Sequence, residues 1–122
     1  MSAFSGNIEN NKCYFLVPIN MTAANTMKFD VSVGFFTNKL GLKVYRTTDY
    51  VPGMNIDDAT LADITTAFIL PSATSPFVSS GTYNIPANVT GNGYFVFEYT
   101  GTNISTGPPV TTTIDIDNII VN

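Results

Sequence analysis

The sequence has no histidine, no tryptophan and only one cysteine among its 122 residues. Without histidine, a Cys–His nucleophile pair is impossible and no imidazole base is available for acid–base catalysis. The single cysteine, Cys13, excludes an intrachain disulfide, and the strand-like run around it predicts a small buried side chain. The apolar runs are too short to span a membrane.

Basic residues are also scarce, and this limits the partners of the protein. The chain has five basic and nine acidic residues, for a net charge of −4. Nucleic-acid binding requires a clustered basic face, and attraction to anionic lipid requires a similar excess of positive charge, so both partner classes are excluded. The five basic residues are Lys12, Lys28, Lys39, Lys43 and Arg46.

Apolar and uncharged polar residues make up most of the chain. Hydrophobic residues account for 44% and charged residues for only 11%, so the polarity comes mainly from Asn, Thr, Ser and Gly. The length suits one domain, residues 1–122, with a core of its own. Such uncharged polar surfaces are common in secreted β-proteins, although residues 1–7 have neither the basic region nor the apolar core of a signal peptide.

Alternating apolar residues predict β-strands separated by turns. Residues Met27–Phe36 alternate most clearly, and one set of side chains is expected to face a core. A short polar connection, Thr37–Lys39, leads into a second run, Leu40–Thr48, which predicts a hairpin. The inward residues are Phe29, Val31, Val33 and Phe35 in the first run and Leu40, Leu42 and Val44 in the second, where Lys43 and Tyr45 face outward.

Three further runs complete the predicted sheets. Lys12–Val17 is expected to be a strand that the following proline ends. Tyr94–Thr100 has bulky residues on both faces, which favours a central strand. Thr111–Val121 is the predicted closing strand, with a kink at Asp117 and Asn118 where the chain changes face. Short strands at this spacing predict an all-β antiparallel sandwich.

The middle of the chain is less regular. Asp57 is expected to cap a short helix, and Asp63–Leu70 to form a strand. Pro71–Phe77 is rich in Ser and Pro and predicts a loop, whereas Gly81–Pro86 predicts a short strand.

Segments in a fixed order resemble a known family, the choice-of-anchor J type domain of bacterial surface proteins and related uncharacterised bacterial lipoprotein domains. The similar segments are Leu42–Tyr50, Ala59–Thr65, Gly93–Gly101 and Ile116–Ile119. The resemblance implies a jelly-roll-like β-sandwich, similar to carbohydrate-binding and adhesin modules. It also implies an extracellular or cell-surface location, with an export leader that this chain does not contain.

The chain departs from the family pattern in two ways. Leu61 and Ile114 stand where relatives often have tryptophan. Relatives also have more residues before the segment that matches Cys13–Pro18, which implies that an N-terminal strand is missing or is supplied by another chain. An open sheet edge of that kind favours strand addition or a homo-oligomer.

Aromatic and polar residues near the predicted loops are candidates for ligand binding. A sugar ring stacks on an aromatic side chain, while amides and carboxylates bind its hydroxyl groups. The candidates are Tyr45, Tyr50 and Tyr83 for stacking, with Arg46, Asp49 and Asn55 for hydrogen bonds. The alternative is that these tyrosines cover an ordinary sandwich surface.

Acidic residues provide a candidate calcium site. Asp115 and Asp117 are two apart, so on a regular strand they point the same way, and Ca²⁺ prefers oxygen ligands. Asp57, Asp58 and Asp63 are alternative ligands in the irregular segment. The alternative is that Asp115 faces solvent and Asp117 caps backbone amides. No other cofactor is expected.

Three functions are compatible with these patterns. The first is a non-catalytic extracellular or surface module that binds a glycan or a surface protein through loops at one end of the sandwich. The second is a structural or assembly module that packs against other domains or itself. The third is a small hydrolase with paired carboxylates such as Glu98 and Asp115.

Overall fold

The computed structural model of the protein describes residues 9–103 and 109–122, which contain β-strands and two single 3-10 turns but no α-helix. Residues 1–7, considered above for a signal peptide, lie outside the described part. The strands are β1 Glu9–Asn20, β2 Thr26–Gly34, β3 Leu42–Thr47, β4 Ala62–Asp63, β5 Ser75–Ser79, β6 Tyr83–Asn84, β7 Asn92–Asn103 and β8 Thr113–Val121. The 3-10 turns are Ile56–Asp58 and Thr65–Ala67.

The strands form two antiparallel sheets that pack face to face. Sheet A has the order β1-β7-β3-β4. In sheet B, β2 is central, with β8 along one side and β5 and β6 along the other. The prediction of an all-β sandwich is therefore confirmed, as is the central position of the strand that contains Tyr94–Thr100.

The core lies between the sheets and is built by strand alternation. In β2, the side chains of Phe29, Val31 and Val33 are buried as predicted. They face buried rings of β7, and the rings of Phe29 and Phe97 pack edge to face with centroids 5.0 Å apart. The hydroxyl of Tyr99 donates to the carbonyl oxygen of Thr112 at 2.7 Å, which satisfies a polar atom inside the core.

The predicted hairpin between β2 and β3 is wrong, because the two strands belong to different sheets. Strand β2 ends at Gly34, and Phe35, at φ 50°, turns its side chain out to 82% exposure. The connection then crosses between the sheets. The amide of Thr37 donates to the Thr112 hydroxyl at 2.9 Å, and that hydroxyl donates to the Lys39 carbonyl at 2.9 Å.

Other local predictions are also corrected. Asn55, not Asp57, caps the first 3-10 turn, and its side chain accepts from the Asp57 amide at 3.0 Å. Of the predicted strand 63–70, only Asp63 is paired, as part of the short strand Ala62–Asp63. A 3-10 turn begins at Thr65, and the Thr65 hydroxyl accepts from the Val44 amide at 2.9 Å. The predicted loop 71–77 contains the start of β5, which pairs with β2.

Strand β1 also differs from its prediction. It continues through Pro18 to Asn20, since a proline is tolerated in an edge strand where no partner needs its missing N–H. Cys13 is exposed rather than buried, because β1 lies at the edge of sheet A.

The kink in the closing strand is confirmed. Asn118 has φ 49°, and the register of β8 on β2 shifts opposite Lys28 and Asp30. Before the kink the even-numbered residues Ile114 and Ile116 point inward. After it the odd-numbered residues Ile119 and Val121 point inward, so the strand changes face at the kink. The Asp117 side chain accepts from the Asn118 amide at 2.8 Å, the capping role named as its alternative.

Two long strands lie on the same side of the sandwich. Strand β1 is the outermost described strand of sheet A, and β8 flanks the central strand β2 of sheet B. A groove of about 280 Å³ lies between them, lined by Phe15, Ile114, Asp115 and Ile116. Phe15 is 51% exposed there, so this side is the less well covered flank of the core.

Candidate functional site

The candidate site lies on the outer face of sheet A, the face turned away from sheet B. Strand alternation places on this face Tyr14 and Leu16 of β1, Val96 and Glu98 of β7, and Lys43 and Tyr45 of β3. The irregular segment 49–61 lies against the same face, since the Tyr14 hydroxyl donates to Asp57 Oδ1 at 3.3 Å. The face therefore combines strand side chains with an irregular segment.

An aromatic groove of about 440 Å³ lies where this face meets one end of the sandwich. We call it the tyrosine groove; it is lined by Pro18, Ile19, Tyr50, Asn92, Gly93 and Tyr94. The rings of Tyr50 and Tyr94 pack edge to face, with centroids 5.2 Å apart and an interplanar angle of 87°. Two half-buried rings and an exposed amide are thus brought to one concave surface.

The sequence predicts Tyr50 as a ligand-binding residue, but it places the partner Tyr94 only in a central strand. Tyr94 lies near the start of β7, in register with Pro18 on one side and Thr47 on the other. The sequence signal that could have identified it is the turn Gly91–Gly93, which places the following aromatic residue at the end of the sheet.

Asp49 holds the segment that carries Tyr50. Its carboxylate accepts from the Thr47 hydroxyl at 2.8 Å and from the Thr60 amide at 2.9 and 3.1 Å. These hydrogen bonds, that from Thr47 most strongly, lower the pKa of Asp49 below its usual value. Asp49 therefore joins the two ends of the segment 49–60, and its oxygen atoms are occupied by protein donors.

The structure also places the other candidates of the predicted binding set. Tyr83 is only 8% exposed and belongs to the core, so the prediction that it lies outward is wrong. Its hydroxyl accepts from Arg46 Nε at 3.0 Å, and this contact holds the arginine on the inner side of β3. Asn55 caps a turn. Of the six candidates, only Tyr45 and Tyr50 present rings on the outer face of sheet A.

Two tyrosines, Tyr14 and Tyr45, flank Glu98 in the middle of the face, an arrangement that the sequence does not predict. Glu98 is only 7% exposed although it points away from the core. Burial, followed by the Glu98 and Asp57 carboxylates, raises the pKa of Tyr14 to about 12. Burial, followed by Glu98 and Asp63, raises the pKa of Tyr45 as well. Glu98 is therefore flanked by two phenols that stay neutral at physiological pH.

Replacement of Glu98 by glutamine is expected to lower the pKa of both Tyr14 and Tyr45. The substitution removes the negative charge that disfavours each phenolate, while burial continues to raise the pKa of Tyr14 above 10.0. A raised pKa stabilises the folded state fully below pH 10.0, and this contribution is lost as the pH rises toward about 12. Tyr14→Phe removes this titrating group, so the loss of stability between pH 10.0 and about 12 should be smaller in the phenylalanine variant than in the unsubstituted protein.

Ultraviolet titration of the tyrosines checks this prediction. Asp115→Asn is the matched control, because it removes the same charge from an exposed position on sheet B and should leave both phenols unchanged. An ordinary pKa for Tyr14 in the unsubstituted protein would contradict the proposed arrangement around Glu98.

The predicted calcium ligands Asp115 and Asp117 lie on sheet B, and their alternatives Asp57, Asp58 and Asp63 lie on or against sheet A. Asp57 contacts Tyr14 of sheet A, whereas Asp115 and Asp117 are exposed on β8 of sheet B. Asp115 lies 3.5 Å from the Ser32 hydroxyl, which donates to it. Over residues 9–103 and 109–122, no three histidine, cysteine or acidic side chains are grouped closely enough to hold a metal ion.

The carboxylate pair considered for a hydrolase is also separated. Glu98 points outward from sheet A and Asp115 outward from sheet B, so the two face opposite sides of the molecule. Glycoside hydrolysis requires two carboxylates that flank one bond. The prediction that these two acids form such a pair is therefore wrong.

Comparison of the chain with models of known protein families, with curated proteins and with solved structures found no match. In the part of the chain that the structure describes, no helix has the length and apolar character needed to cross a membrane. Function must therefore be argued from the chemistry of the site, because a β-sandwich alone is compatible with many functions.

Proposed function

We propose that this chain is a non-catalytic glycan-binding module of a secreted or surface-attached protein, and that the tyrosine groove is its binding site. The observation that carries the proposal is the edge-to-face pair of Tyr50 and Tyr94 in a groove of about 440 Å³. One ring of such a pair can stack on the apolar face of a sugar while its neighbour forms a wall. Asn92 supplies amide donors and acceptors for hydroxyl groups.

Both tyrosines of the groove are held in place by the surrounding structure, so a ligand can bind without a large loss of side-chain conformational entropy. Tyr94 belongs to a strand that is paired on both edges. Tyr50 follows Asp49, whose carboxylate is bound to Thr47 and Thr60. The two rings are therefore held before a ligand arrives, as expected of a binding module that acts through a rigid sandwich end.

Substitution of Tyr50 by alanine is expected to weaken glycan binding by about tenfold or more, since buried aromatic contacts dominate such interfaces. Tyr50→Phe is the matched control because it keeps the ring and removes only the hydroxyl. The measurement is a glycan-array screen with and without Ca²⁺, followed by calorimetric titration of each glycan that binds. Equal affinity for the alanine variant, or no binding to any glycan, would overturn the proposal.

A second candidate function, assembly, is favoured by the outer edge of sheet A. In the described part of the chain, β1 pairs only with β7, and Phe15 of β1 is half exposed beside a groove of about 280 Å³. Such edges accept an additional strand. Analytical ultracentrifugation of the protein used in the glycan-array screen distinguishes the two functions. A concentration-dependent dimer that binds no glycan would favour assembly.

A further inference from the structure

The basic residues of this acidic chain are concentrated in one groove. Three of the five, Lys12, Lys39 and Lys43, line a depression of about 340 Å³ at the end of the outer face of sheet A opposite the tyrosine groove. We call it the lysine groove; Gly41, Glu98 and Thr100 also line it. Of the remaining two, Lys28 is exposed on sheet B and Arg46 is bound to the Tyr83 hydroxyl.

Strand pairing places two of the lysines on opposite sides of β7. Lys43 of β3 is in register with Glu98, and Lys12 of β1 is in register with Thr100. Neighbouring strands are about 4.8 Å apart, and the two positions are offset by two residues along β7, so the backbones at Lys12 and Lys43 lie about 12 Å apart. Two flexible ammonium groups can therefore converge on a small anion above β7.

The third lysine is carried by a tight turn whose backbone is fixed. The Lys39 amide donates to the Thr37 carbonyl at 2.7 Å, and the Lys39 carbonyl accepts from the Thr112 hydroxyl at 2.9 Å. Gly41 follows at φ +78°, and a side chain there would overlap the carbonyl oxygen of Thr100. This close approach brings the turn against β7 beside the groove.

The charges in the groove do not cancel. Glu98 is the acidic lining residue; its side chain is 10% exposed, and it lies 4.0 Å from the Lys12 ammonium group. Lys39 and Lys43 are exposed, and among residues 9–103 and 109–122 neither forms an ion pair within 4.0 Å. Lys43 has one acidic neighbour, Asp63, whose pKa is lowered by hydrogen bonds from Thr65 and then by the Lys43 charge. The groove therefore has a local excess of positive charge on a chain of net charge −4, so it is the part of this surface that attracts an anion.

We propose that the lysine groove binds an oxyanion of an acidic glycan, a uronate carboxylate or a sulfate ester. The inference rests on the proposed glycan-binding function and names the ligand class. Tyr94 and Thr100 are six residues apart on β7, so the two grooves are separated by about 20 Å. A ligand that spans both is a longer oligosaccharide, whereas a short one occupies one groove at a time.

The test uses short oligosaccharides of one backbone in neutral, uronate and sulfated forms, titrated into the isotope-labelled protein and followed by nuclear magnetic resonance. The anionic forms are expected to shift the backbone signals of Lys39, Lys43 and Thr100, and to bind less tightly as salt is added. A preference for the uronate or the sulfated form identifies the anion. Shifts confined to the tyrosine groove for all three forms would overturn the inference and leave the proposed function intact.

Single lysine substitutions distinguish binding in the lysine groove from a general effect of net charge. Lys39→Gln and Lys43→Gln are each expected to weaken binding of the anionic forms about threefold to fivefold, as for other exposed charge contacts. Lys28→Gln is the matched control, with the same charge change on the opposite sheet. Equal weakening by all three variants would show a net-charge effect and overturn the inference. If neutral and anionic forms all fail to bind, the proposed function fails with it.

Discussion

Replacement of Phe97 by alanine is expected to lower the free energy of unfolding by about 4 kcal/mol, the largest effect of any substitution proposed for this protein. Phe97 is fully buried at the centre of β7. Its ring contacts Phe29 of sheet B at 5.0 Å and Phe15 of β1 at 6.1 Å, centroid to centroid. The cavity would open between the two sheets, where rigid strands cannot collapse to fill it.

Denaturant titration followed by circular dichroism measures this loss. Phe35→Ala is the matched control, since Phe35 is 82% exposed and its removal should change stability by less than about 0.5 kcal/mol. Similar losses for both variants would mean that Phe97 is not at the centre of the core and that the packing of the two sheets is not as described.

Replacement of Gly93 by alanine is expected to cost about 3 kcal/mol, the second largest effect. Gly93 is buried in β7, and an added Cβ would overlap the carbonyl oxygen of Thr47 and crowd the Thr48 side chain at 3.2 Å. The overlap involves backbone, so it can be relieved only if β3 and β7 separate at this end. Thermal and chemical unfolding would both detect the change.

Gly34→Ala is the control for this substitution. Gly34 also lies in a strand, but an added Cβ would only reach ordinary contact with Thr113 at 3.7 Å. Its replacement should therefore change stability by about 1 kcal/mol or less. Because Gly93 also lines the tyrosine groove, its alanine variant should lose glycan affinity under conditions where it is still folded. Unchanged stability of the Gly93 variant would contradict the close approach of β3 and β7.

The two ends of the outer face of sheet A differ in chemical character. Aromatic rings and an amide lie at the end of Tyr94, and lysines lie at the end of Thr100. Between them the segment 49–61 contacts the face through Asp57 and Tyr14. The proposed ligand therefore has apolar sugar faces and at least one oxyanion, and the two proposals can fail separately because different residues carry them.

The class of fold and several local features could be predicted from the amino-acid sequence. Alternation in β2 identified Phe29, Val31 and Val33 as core residues, because successive side chains of a strand point to opposite faces. The Asp117 and Asn118 kink was also evident, since an Asp-Asn pair accommodates a positive φ and caps its own backbone. These features depend on residues that are neighbours along the chain.

The pairing of strands and the contacts between distant side chains could not be predicted in the same way. Strands β2 and β3 are close in sequence yet lie in different sheets, because alternation specifies the faces of a strand but not its partner. Tyr83 became a core residue, and Cys13 an exposed one, through the same long-range pairing. The lysine groove draws Lys12 and Lys43 together from strands that meet only through β7. Contacts of this kind arise from packing between distant segments, which no local pattern encodes.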